Sequence, residues 1–129
     1  MECEHARLRT AVGRAYYAVF LTLKARIVDA RPDRHFPTVD AHRKLREALE
    51  SVLGDDDLLV AYLKKLLRER KRADYELRFP LLASEALEAV HHAYDALRLV
   101  DQLSATAVAA TANELFDNDR GLRRLRSNR

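Results

Sequence analysis

The chain has no tryptophan, one cysteine, three glycines and three prolines in 129 residues. So few backbone breakers leave little room for a turn-rich β architecture, and no run alternates with strand period. The lone thiol, Cys3, has no disulfide partner, so a reducing cytoplasm is the expected setting. No apolar run approaches the roughly 20 residues needed to span a bilayer, and Met-Glu-Cys-Glu-His carries none of the features of a signal peptide. A glycine-rich phosphate loop, a His-Glu-x-x-His pair and a locally supported Ser/His/Asp pattern are also missing. No cofactor or metal is therefore expected. His91 and Asp95 share a helix face with Arg98 near them, but two ligands make a weak site, and adjacent His91 and His92 point about 100° apart.

The chain is instead rich in Leu, Ala, Arg and Glu, the composition of a soluble helical protein of one domain. Its net charge of +3 is unevenly placed. From Asn118 onward, five arginines face one acid, Asp119, so the body of the chain is close to neutral and the tail carries the positive charge. We read 1–117 as the folded unit and 118–129 as a basic, disordered tail, either solvated or touching RNA phosphates.

Helical periodicity predicts four main helices and a short fifth. The first, from about His5 to Ala30, has a stripe of Leu8, Val12, Tyr16, Val19, Leu23 and Ile27, with a second apolar face at Tyr17, Leu21 and Val28, so it is expected to be central and covered on two sides. Gly13 inside it costs about 1 kcal/mol against alanine, which points to close approach of a neighbouring backbone. The second helix spans about Val39 to Leu53, ended by Gly54, and Asp55 to Asp57 cap the third. The third runs to about Ala73, and Pro80 closes the loop after it. A fourth, from about Ser84 to Gln102, is expected to bury Leu87, Val90, Tyr94 and Leu97. Ser104 caps a fifth segment. Short connections favour an all-α, up-down antiparallel four-helix bundle, and the small core with its additional apolar faces favours homodimerisation.

One position on the third helix breaks its own pattern. Leu59, Leu63 and Leu66 recur at helical spacing, and the next step of that stripe is Arg70. A guanidinium there needs a desolvated partner, a cleft or an interface. Asp74, one turn on, offers a structural ion pair. The functional alternative is a cleft in which the fork of Arg70 holds two phosphate oxygens, with Lys64, Lys65, Arg68, Lys71 and Arg72 raising the local potential. Tyr75 either stacks on a base or closes the core after the helix. Arg14, one turn before Tyr17, is placed to cross to Asp74. His42 lies on the stripe of Leu45 and Leu49, as a core or rim histidine.

Two blocks carry a family resemblance: Arg14-Ala15-Tyr16-Tyr17-Ala18-Val19-Phe20 and, some fifty residues later, Arg70-x-x-Ala73-Asp74-Tyr75. Together they resemble the HEPN domain, over roughly Leu8 to Leu103. His42 sits about where relatives carry a Thr-His or Ser-His pair, although Asp40 and Ala41 precede it here. The resemblance implies a dimeric helical bundle with Arg70 lining the cleft between subunits; Tyr17, Lys71, Arg72, Asp74 and Arg14 are the further cleft candidates that the residues themselves suggest. It also implies a toxin-like effector or defence module that acts on RNA or a nucleotide, often as a metal-independent ribonuclease. Partners of that kind include a nucleotidyltransferase antitoxin. The family's ribonucleases place a histidine after their arginine, at positions that hold Tyr75, Glu76 and Leu77 here. A phenol with a pKa near 10 is a poor base at neutral pH, so a histidine from elsewhere, His42 or its copy in a second subunit, would have to substitute. Without one, the chain is a non-catalytic module working through a protein partner.

Overall fold

A computed structural model describes the backbone over residues 2–75 and 81–127, and the side chains of these except 2, 3, 5, 75 and 119–127. The described chain is all-helical: α1 Glu2–Ala30, α2 Ala41–Leu53, α3 Leu58–Tyr75, α4 Ala83–Gln102 and α5 Ala105–Ser127. α1 packs against α4, α3 and α5, while α2 packs against α5 and α3, and α3 against α4. The five helices form one bundle around Tyr16, Val19, Leu23 and Ile27 of α1, Leu45 and Leu49 of α2, Val60 and Leu66 of α3, and Leu115 and Phe116 of α5. None is long and apolar enough to cross a membrane among the described residues.

Local chemistry sets the helix ends. Gly54 takes φ +94°, open to glycine and strained for other residues, and its N–H donates to the carbonyl of Glu50 at 2.8 Å. Asp57 then caps α3 by accepting from the N–H of Leu59 at 2.8 Å. Ser104 caps α5 through the N–H of Ala107 at 3.0 Å. The last carbonyls of α4 are met from outside the helix: Arg26 Nη1 donates to Val100 at 2.6 Å and to Leu103 at 3.0 Å. Lys64 of α3 pairs with Glu50 of α2 at 3.0 Å.

The structure corrects four expectations. α4 is rotated: it buries Ala86, Ala89, Ala93, Ala96 and Val100, while Leu87 is 59% and Tyr94 65% exposed. A face of alanines lets neighbouring helices come close, and packing of backbones outweighs burial of the larger side chains. On α1 the second apolar face is open, with Tyr17 and Leu21 exposed. A methyl group at Gly13 would meet nothing within 4 Å, so no backbone crowds it. Finally, α5 is not short, and the segment expected to be a disordered tail continues it as helix through Ser127. Pro80 and the side chains of the tail arginines lie outside the described residues.

The register of α4 is checked by two substitutions. Ala96→Leu should lose about 1–3 kcal/mol by overpacking, and Leu87→Ser should stay within about 0.5 kcal/mol of the parent, both read from urea unfolding midpoints.

Candidate anion-binding groove

Arg70 emerges near the end of α3, where its apolar stripe meets α1. Its Cζ lies 4.5 Å from the ring centre of Tyr17 and 5.2 Å from that of Tyr16. Nη2 donates to Tyr17 Oη at 3.1 Å, and Nε faces Asp74 Oδ2 at 3.5 Å. The Arg70 side chain is 25% exposed and that of Asp74 46%. Such a loose, wet ion pair contributes about 0–1 kcal/mol, so the two tyrosine rings, more than Asp74, hold the fork in place.

Beside Arg70 opens a groove of about 640 Å³, lined by residues of α1, α3, the segment before α2 and the first turn of α2. Lys24, Arg43, Arg70 and Lys71 contribute positive charge, and Phe20 and Phe36 supply aromatic surface. The acid on the lining, Asp40, is engaged by Arg43 at 3.0 Å. Asp40 takes the left-handed conformation, φ +52°, which Asp tolerates better than most residues, as α2 begins.

His42 joins this groove from α2. Its ring stacks on Phe20 with 3.9 Å between centres, and Nδ1 lies 2.6 Å from Tyr16 Oη. Burial, and secondarily the charge of Arg70, hold the His42 pKa below its usual value, so the imidazole is neutral at pH 7. Burial pushes the Tyr16 phenol up to about 12, against the opposing pull of Arg70.

Of the residues singled out from sequence, Arg70 and Lys71 line the groove, and Tyr17 and Asp74 reach it through their contacts with Arg70. Tyr75 ends α3, and its side chain lies outside the described residues. Arg72 does not line the groove; it pairs with Glu85 of α4 at 2.7 Å. Arg14 does not cross to Asp74: it borders a separate apolar groove of about 310 Å³ between α1 and α4, with Ala11, Ala18, Val90, Tyr94 and Leu97. Lys24 and Phe36 were not placed in the groove from sequence, and His42 was named only as a core or rim histidine or as a stand-in for the missing one. The aromatic and cationic residues of α1 were visible, but only the fold brings α2 across them.

His92 of α4 does other work. His92 Nδ1 is 3.0 Å from Glu69 Oε1, and Tyr62 Oη donates to Asp95 at 3.4 Å, tying α3 to α4. Among the described residues no three metal-ligating side chains gather. Comparison with protein-family models, curated proteins and solved structures finds no match to this chain.

The depressed His42 pKa has a sign that can be checked. The unfolded chain takes up this proton first, so stability falls as pH drops from about 6.5 through the lower folded-state value. His42→Gln should flatten that part of the stability–pH curve relative to the parent, measured by urea unfolding between pH 7.5 and 5.

Proposed function

We propose that the chain is a HEPN-like effector that binds a phosphate-bearing ligand, RNA or a nucleotide, in the groove beside Arg70. The observation that carries this reading is the held but open guanidinium: two aromatic rings fix it, a loosely held carboxylate guards it, and space lies beside it. Lys24, Lys71 and Arg43 add charge that attracts a polyanion, and the partly buried Phe36 on the lining offers apolar surface for a base. The two sequence blocks that resemble the HEPN family supply Arg70, Asp74, Tyr16 and Tyr17, all within this one cluster.

In this reading the bundle is up-down antiparallel and works as a homodimer in the cytoplasm. The exposed Leu87 and Tyr94 of α4, with the partly buried Val90 and Leu97 that line the furrow against α1, form an apolar face of the kind that subunits bury. The same face favours a second reading, a non-catalytic module that docks a protein partner such as a nucleotidyltransferase antitoxin. Analytical ultracentrifugation separates the two uses of the face: a dimer that Leu87→Glu with Tyr94→Glu turns into a monomer supports self-association.

Arg70→Ala should weaken binding of a fluorescent single-stranded RNA at least tenfold while leaving the circular-dichroism spectrum unchanged, and Arg70→Lys should restore only part of the affinity. Equal affinity for parent and Arg70→Ala would overturn the assignment.

A further inference from the structure

Tyr16 and His42 meet in a way that fixes where their protons are. Tyr16 is buried, and the partner of its hydroxyl among the described residues is Nδ1 of His42, 2.6 Å away. If Nδ1 carried the proton, the phenol would accept, and its own O–H would be left in the interior without an acceptor. The cations near the pair, Arg46 and Arg70, offer only donors. An orphaned buried donor is the costlier arrangement, and a spare oxygen lone pair is more easily tolerated. The phenol therefore donates to Nδ1. The separation agrees, being short for an N–H donor and ordinary for an O–H donor.

Burial and the nearby charge of Arg70 keep the imidazole neutral, so its one proton is on Nε2. That N–H has no acceptor among the described residues, and its side chain lines the groove. Phe20 stacks on the ring with 3.9 Å between centres and restrains it from swinging away. His42 and Arg70 also share their supports. Arg70 Cζ lies 5.2 and 4.5 Å from the ring centres of Tyr16 and Tyr17, and the imidazole centre lies 5.3 and 5.8 Å from them. One pair of tyrosines thus braces both a guanidinium and a neutral N–H beside one groove.

We propose that His42 is a ligand-binding residue of this groove, donating Nε2–H to an oxygen of the anion that Arg70 holds. The inference rests on the phosphate-binding reading above. The contact adds direction without charge. Lys24, Arg43 and Lys71 attract a polyanion through long-range charge and counterion release, whereas a fixed N–H selects a ligand that sets an acceptor oxygen opposite it. A neutral ring also avoids placing one more cation among these four. Tyr16 is the positioning residue: its hydroxyl occupies Nδ1 and keeps the proton on Nε2.

The test uses the full chain, a fluorescent single-stranded RNA as probe, and isotope-labelled histidine, whose two ring nitrogens NMR distinguishes by proton attachment. In the free parent at neutral pH the His42 proton should be on Nε2, and Tyr16→Phe should let part of it move to Nδ1. Added RNA should shift Nε2 more than Nδ1. His42→Phe, which keeps a stacked ring and removes the donor, should bind the RNA at least about fivefold more weakly. His42→Gln, which returns an N–H donor, should recover most of that loss. The slope of log affinity against log salt should be unchanged in His42→Phe and shallower by about one in Lys71→Ala. A proton on Nδ1 in the parent, an Nε2 that RNA leaves unmoved, or undiminished binding by His42→Phe would overturn the donor role. A loss of binding in Arg70→Ala would still uphold the groove in each of those cases. A salt slope altered by His42→Phe would make His42 a charged contact and overturn the neutral one. A parent that binds no RNA removes both readings. The ring-nitrogen measurements on the parent decide the matter even where His42→Phe does not fold.

Discussion

Arg70 stands at the surface over the faces of Tyr16 and Tyr17, and the geometry of the groove follows from that contact. A cation above an aromatic ring gains about 0.5–1 kcal/mol at an exposed site, enough to order a long side chain without sealing it. Asp74 alone would leave the fork mobile or, in a tighter pair, closed to ligand. The rings achieve an intermediate state, with the guanidinium oriented and its outer edge still wet. Tyr16 then serves a second purpose, because the hydroxyl of one of these rings also engages His42. A single pair of adjacent tyrosines on α1 thus links residues from α2 and α3 that are 28 positions apart in sequence.

Much of the scaffold was legible because its determinants are local. Gly54 and Asp57 mark the α2–α3 junction by backbone freedom and a carboxylate cap, and both act within four residues of themselves. Ser104 does the same for α5. α4 was misread for an instructive reason. Periodicity identifies two faces, one with Leu87, Val90, Tyr94 and Leu97 and one with alanines, and size alone favours the first as core. The fold buries the second, because small side chains permit a close approach that large ones forbid.

The site was half legible. Arg70 announced itself as a charged residue on an apolar stripe, and Asp74 followed from helix geometry. His42 belonged to a different helix and to its own apolar stripe, so nothing within several residues tied it to Tyr16. Arg14 and Arg72 illustrate the reverse error: their neighbours in sequence are site residues, yet rotation about the helix sends one toward α4's open face and the other to Glu85.

Tyr17 meets Arg70 twice, once with its ring and once with its hydroxyl. The ring attracts the cation without fixing its rotation, whereas the hydroxyl accepts from one N–H and sets which edge of the fork turns outward. Loss of the hydroxyl alone therefore leaves the guanidinium held but free to swivel.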